Sequence, residues 1–189
     1  MSVSTSTNSA SRAPRQDNRR QQLLDVAARL FREHGLSGVG VDALTDAAGL
    51  THGSLYSQFG SKERLAAEAL GHALSTSSAR MSNARTLDDY VARYLSADHR
   101  GGRGDGCVIA SLASEIPRQG AAIRHSFTEA VRAVMRRIAG LTPGRRKSED
   151  EALAIVATLV GALSLARAVD DPELSDRILA AARTRLACR

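Results

Sequence analysis

The sequence contains no tryptophan, and aromatic residues make up only 3% of its 189 positions. Its core must therefore be aliphatic and rich in alanine. Two cysteines, Cys107 and Cys188, stand 81 positions apart and belong to no CxxC pair. That excludes a disulfide scaffold and fits a chain with reduced thiols. Four prolines and 15 glycines are too few for a collagen-like or Pro/Gly-rich chain. Together with long Ala/Leu/Arg stretches, they argue against an all-β fold. The longest largely apolar run, residues 152–166, spans 15 positions before Arg167, short of the roughly 20 a membrane helix needs. Residues 1–17 hold no apolar segment of the kind a secretory signal carries. These features together predict a cytoplasmic chain with no membrane partner.

What is present is a globular balance of 43% hydrophobic and 24% charged residues. The net charge is +6, and the 26 basic residues include just two lysines, Lys62 and Lys147. Up to residue 75 there are 8 basic and 7 acidic residues, so the surplus lies in the later part of the chain. A basic balance permits attraction to phosphate, but its distribution does not locate a nucleic-acid site.

The chain divides into segments by pattern. Residues 1–17 carry seven Ser/Thr in the first eleven positions and read as a disordered arm, with Arg12 and Arg15 as possible phosphate contacts. Helical periodicity starts near Asn18, with Leu23, Leu24, Ala27, Leu30 and Phe31 on one face and Gly35 as the stop. A short helix follows from about Val41 to Ala48 and closes at Gly49. Thr51 is placed as the N-cap of a further short helix through HGSLYSQFG, and Ser61 as the cap of the next. The remainder reads as helices over about residues 86–98, 107–116, 118–140, 149–169 and 172–186. GGRGDG at 101–106 and TPGRRKS at 142–148 are breaks, and Pro117 is a helix stop. The expected fold class is all-α: an N-terminal three-helix domain containing a helix-turn-helix, followed by a C-terminal helical domain. The expected boundaries are 1–17, 18–66 and 67–189.

The informative stretch is 41–62. Two short helices joined by a tight turn at Gly49 make a helix-turn-helix unit, and Gly49 can take the left-handed conformation the turn demands. Leu44, Ala48, Leu50, Leu55 and Phe59 are apolar where the helices must lock together. The outer side of the second helix offers Thr51, His52, Ser54, Ser57 and Gln58 as small or flat donors and acceptors. Gly53 permits close approach, Tyr56 carries a hydroxyl, and Lys62 opens the next helix. Such a helix fits a major groove about 12 Å wide. His52 is equally readable as a merely exposed residue, and Tyr56 as partly core.

This arrangement resembles the tetracycline-repressor (TetR) family of one-component bacterial regulators. The resemblance rests on LLDVAARLFREHGLSGVGVDALTDAAGLTHGSLYSQFGSKERL. Its most telling residues are Ala28 and Phe31 before Gly35, Ala48-Gly49-Leu50, Gly53-Ser54-Leu55-Tyr56, Phe59 and Ser61-Lys62-Glu63. It implies that Thr51, Tyr56 and Lys62 grip phosphates while His52, Gly53, Ser54, Ser57 and Gln58 face the groove of double-stranded DNA. Two departures stand out. Val39 and Gly40 occupy positions where the family usually has Thr-Ser or Thr-Thr, and Thr45 stands where Ala is usual.

For the remaining chain the resemblance implies an effector-binding and dimerisation domain. The helix over residues 149–169 is apolar on two sides, which suggests burial against both its own domain and a partner subunit. Val156, Leu159, Val160, Leu163, Ile178 and Ala182 are the expected interface of a homodimer, whose two recognition helices would meet a palindromic operator. Tyr90, Tyr94, Cys107, Ser111, Phe127 and Val131 are the expected effector-pocket residues. Cys107 follows a Gly-rich loop and opens a helix; it reads either as a packed apolar residue or as a thiol that senses electrophiles. No cofactor or metal site is expected: the five histidines fall at no ligand spacing, and HExxH, GxSxG and P-loop motifs are missing. A ligand-responsive repressor is the expected function. The alternatives are a thiol-based electrophile or redox sensor acting through Cys107, and a helical interaction protein that does not bind DNA.

Overall fold

The computed structural model describes residues 12–81, 83–141 and 149–187, the side chains of 12–15 and 78–80 excepted. Residues 1–11, the 142–148 break and Cys188 lie outside the described residues. Among the described residues there are ten α-helices, one 3-10 turn and no strand. Helices α1 (Arg12–His34), α2 (Val41–Ala47) and α3 (His52–Phe59) form the head, and α4 (Lys62–Met81) leads out of it. Then come α5 (Leu87–Tyr94), α6 (Ala97–Gly101), α7 (Val108–Leu112), a 3-10 turn (Ile116–Arg118), α8 (Ala121–Gly140), α9 (Glu149–Ala168) and α10 (Pro172–Ala187).

Several boundaries differ from the sequence-based expectation. Helix α1 starts at Arg12, so residues 12–17, expected in the arm, are helical; Pro14 falls in the first turn, where its missing N–H costs nothing. The helix expected over 86–98 is two helices, because Leu95 leaves helical geometry and the Ser96 hydroxyl accepts from His99 N–H to cap a new start. Pro117 sits inside the 3-10 turn, and α8 starts at Ala121 rather than Arg118.

One aliphatic core runs through the molecule. Leu23, Ala27, Phe31, Leu44, Leu55 and Phe59 fill the head, and Leu65, Leu70, Leu112, Ile138, Ile155 and Leu159 continue it into the bundle. Helix α4 packs on both α1 and α8, and α9 is flanked by α8 and α10. Among the described residues α9 has the length and composition to cross a membrane, yet its Ile155, Leu159 and Leu163 are buried in the bundle.

Candidate nucleic-acid interface and effector cavity

The turn between α2 and α3 forms as its residues dictate. Gly49 adopts φ +61°, Ala48 N–H closes on Leu44 and Leu50 N–H on Thr45. Gln22 of α1 donates to the Ala48 carbonyl at 2.7 Å, satisfying the C-terminus of α2. Thr51 caps α3 by accepting from Ser54 N–H at 3.3 Å. The inward face of α3 is Leu55 and Phe59, both buried. Its outward face carries His52, Gly53, Tyr56 and Ser57, all exposed, with half of Tyr56 open to solvent.

The remaining predicted contacts are less free. Ser54 and Gln58 are half-buried, and the Gln58 side-chain carbonyl is enclosed without a partner. The Lys62 ammonium is turned back, donating to the Leu36 carbonyl at 3.1 Å, so it ties α4 to the end of α1. The His52 ring lies against the Asp42 carboxylate of α2. Arg20 stacks its guanidinium 4.7 Å from the centre of the Phe59 ring and pairs with Glu68. Both departures from the TetR pattern have local consequences. Gly40 leaves α2 without a side-chain cap, and buried Thr45 satisfies its hydroxyl on the Val41 and Asp42 carbonyls at 3.1 Å.

Behind the head, a cavity of about 400 Å³ opens between α4, α5, α8 and the 102–107 loop. Of the expected pocket residues, Tyr90, Tyr94 and Cys107 line it. Ser111, Phe127 and Val131 do not. The Ser111 hydroxyl instead meets Arg167 at 3.3 Å. Phe127 and Val131 pack on the core just ahead of the stretch of α8 that reaches the cavity, Ala133, Val134 and Arg137. Sequence reasoning missed these three, and Leu74, Ser77 and Met81 of α4. The latter's i, i+3, i+7 spacing was a visible signal.

The cavity wall is fixed by side-chain-to-backbone bonds. His99 Nε2 accepts from Cys107 N–H at 3.0 Å while Nδ1 lies 2.7 Å from the Tyr94 carbonyl. The accepting Nε2 puts the ring proton on Nδ1. Arg167 of α9 donates to the His99 and Arg100 carbonyls, at 2.6 and 3.1 Å, and so caps α6; burial lowers its pKa from the usual arginine value. Gly106 is needed there, since a Cβ would fall 2.8 Å from the Gly102 carbonyl oxygen and 2.7 Å from Arg167 Nη2. Among the described residues no cluster of three or more His, Cys, Asp or Glu could hold a metal.

Arg32 of α1 and Glu115, which lies between α7 and the 3-10 turn, join the head to the helices behind it. Buried Arg32 of α1 donates to the Gly104 carbonyl at 2.7 Å. The Glu115 carboxylate accepts from the backbone N–H groups of Leu36 and Ser37, at 3.0 and 3.2 Å, just after Gly35 turns at φ +80°. Replacing Glu115 with Ala removes a charge-assisted acceptor and leaves the buried Leu36 N–H unpaired, at a cost of about 1–3 kcal/mol. Faster amide hydrogen exchange at Leu36 and Ser37 is expected; unchanged protection there would contradict this role.

Helix α9 corrects part of the expected dimer interface. Val156, Leu159 and Leu163 are buried in the chain's own core, while Val160, Ile178 and Ala182 are half-buried and packed against it. The open apolar side is instead Leu153 (41% exposed), Ala157, Gly161 and Leu165 (58% exposed), with Leu174 of α10 39% exposed.

A three-helix head that buries one side of its capped, eight-residue third helix and exposes the other defines a helix-turn-helix protein of the all-α class. Residues 23–69 match the model of the bacterial regulatory proteins, tetR family. The HTH-type transcriptional repressor KstR2 of Rhodococcus jostii is 52% identical over 52 residues, covering 28% of this chain and 26% of that protein. The HTH-type transcriptional repressor AcnR of Corynebacterium efficiens is 44% identical over 48 residues, 25% of this chain and 26% of its own. The match thus spans about a quarter of the length of the curated relatives. Whole-chain likeness comes from solved structures. Escherichia coli NemR in its reduced form superposes with a TM-score of 0.74 at 20% identity, over 89% of this chain and 95% of that one. A TetR transcriptional regulator from Chloroflexus aurantiacus gives 0.72 at 25% identity, over 93% and 95%. The head thus matches the tetR family model over residues 23–69, and the chain as a whole shares the fold of these solved regulators.

Proposed function

We propose that the protein is a transcriptional repressor that binds a palindromic operator as a homodimer in the cytoplasm and is released by a small-molecule effector. The observation that carries this reading is α3. Leu55 and Phe59 are locked into the core while His52, Gly53, Tyr56 and Ser57 face solvent together. Small polar groups, a glycine and one phenol suit base edges and phosphates in a major groove. Residues 18–66 act as the DNA-binding head, and 67–189 supply the effector site and dimer contacts.

The Leu153, Ala157, Gly161, Leu165 row supports pairing through α9. The four lie at i+4 steps on one ridge, and its middle is small enough for a partner helix to approach closely. Leu174 of α10 is exposed as well. Two chains joined there form a four-helix interface, and a ligand that favours one dimer shape shifts the population away from DNA.

The test is a gel shift with DNA from upstream of the protein's own gene at 50 and 200 mM salt. Expected is a retarded complex of two chains per site that weakens steeply with salt. No complex at either salt would leave a helical interaction protein as the better account.

Thiol sensing remains a second reading, favoured by the place of Cys107 on the cavity wall beside Tyr94. N-ethylmaleimide would form an S–C bond to Cys107, with the thiol proton passing to the adjacent ring carbon. Release of the operator by this reagent in the parent, and not in Cys107→Ser, is the outcome expected on that reading. Equal release in both sets it aside.

A further inference from the structure

We infer that Asp42 holds the ring of His52 so that Nδ1 alone is left for DNA, as an acceptor that reads the amino group of an adenine or cytosine in each half-site. This rests on the DNA-binding reading above. The argument begins with a charge in an awkward place. Asp42 stands in the first turn of α2, and its side chain is 85% exposed. A bare carboxylate beside a helix that enters a groove faces repulsion from the phosphates. It is paired with His52, the first residue of α3, and the contact runs through the ring atom Nε2. Helix α2 also gains from an acidic first turn, having no side-chain cap, but that role asks nothing of His52.

The ring chemistry follows from the partner. An ionised carboxylate only accepts hydrogen bonds, so Nε2 carries the proton and the neutral ring keeps a bare lone pair on Nδ1. That atom cannot bond a phosphate oxygen, nor the N7 and O6 of guanine, which are all acceptors. The donors on the major-groove edge are the N6 amino group of adenine and the N4 amino group of cytosine. On thymine and guanine the corresponding groups are the O4 and O6 carbonyl oxygens, which would face the lone pair. The neighbouring hydroxyls each have a bond at α3. Thr51 Oγ1 and Ser54 Oγ lie 3.1 Å apart within the cap, and Ser57 Oγ donates to the Ser54 carbonyl at 3.1 Å. Gly53 has no side chain, so at the start of α3 the reading of a base falls to the His52 ring, 53% exposed.

The test uses the full chain at pH 8 and two readouts. Both residues are exposed, so the variants should keep the parent's helicity. Nitrogen-15 NMR of the His52 ring, in the protein without DNA, should show hydrogen on Nε2 and none on Nδ1. Asp42→Glu should keep that pattern, and Asp42→Ala should average the two ring nitrogens. The second readout is binding to duplexes from upstream of the protein's own gene, with each base pair of the half-site changed symmetrically in turn. At one position of one strand, adenine or cytosine should bind about fivefold better per half-site than thymine or guanine, or about 25-fold for the symmetric duplex. His52→Ala should flatten that position to about twofold or less. Asp42→Ala should flatten it too, while binding unrelated DNA more tightly. Added to His52→Ala, it should leave the base profile unchanged.

A proton on Nδ1 of the free parent would overturn the inference. So would a His52-dependent preference for guanine or thymine. A lower melting temperature in Asp42→Ala with its base preference intact would mark a purely structural carboxylate and overturn it as well. No complex with any duplex would sink the DNA-binding reading and the inference with it. A normal complex whose base profile is the same in parent and His52→Ala overturns the inference alone.

Discussion

Leu165→Arg should convert the protein from dimer to monomer and weaken operator binding by about a hundredfold or more, while leaving the fold of each chain intact. Leu165 is 58% exposed, so its replacement touches little of the chain's own core, and substitutions of that kind usually stay within about 0.5 kcal/mol. In a symmetric interface each residue of the contact is used twice. One substitution therefore sets two guanidinium groups into an apolar face without counter-charges. The neighbouring Ala157 and Gly161 offer no acceptor side chain. A single head reaching one half-site loses the advantage of tethering to its twin, and that advantage is large when geometry matches. Sedimentation and operator titration on the same preparation check both halves. A variant that stays dimeric and binds normally would place the interface elsewhere.

The second large effect belongs to the head. Leu55→Ala removes a fully buried side chain from the contact between α2 and α3, and substitutions of this type cost about 2–5 kcal/mol. Helix α3 has 8 residues, too few to persist without packing. Its loss is therefore expected to unfold the recognition helix well before the bundle formed by α8, α9 and α10. Hydrogen exchange should rise across α2 and α3 with the amides of α9 still protected, and operator binding should disappear at temperatures where circular dichroism remains largely helical. A single cooperative transition with uniform exchange would show that head and bundle unfold as one unit.

How far these features were legible in the sequence depends on the distance over which each is specified. The head could be read almost residue by residue. Gly49 is at φ +61°, Thr51 caps α3, the Ser61 hydroxyl accepts from Arg64 N–H, and Leu44 and Leu55 are buried. All of these follow from local rules of capping, turns and periodicity. Helix α9 resisted because apolar residues surround most of it, so periodicity predicts burial without saying which side faces its own bundle. Val156, Leu159 and Leu163 turned inward, and the open row became Leu153, Ala157, Gly161 and Leu165. The cavity was half legible. The tyrosine pair and Cys107 carry a visible chemical signal, but how far along α8 the cavity reaches is set by how that helix crosses α4. The Glu115 and Arg32 contacts had no signal at all, since each joins a side chain to backbone 72 to 79 positions away.

The most direct measurement of the central claim is fluorescence anisotropy of labelled upstream DNA titrated with the parent and with Tyr56→Ala/Ser57→Ala, at two salt concentrations. Both residues are exposed on α3, so the double variant should keep the parent's helicity and dimer mass. The account predicts a saturating, salt-sensitive complex for the parent and at least a tenfold weaker one for the variant, or about 1.4 kcal/mol lost. Identical curves for the two proteins would mean that α3 is not the surface that meets DNA.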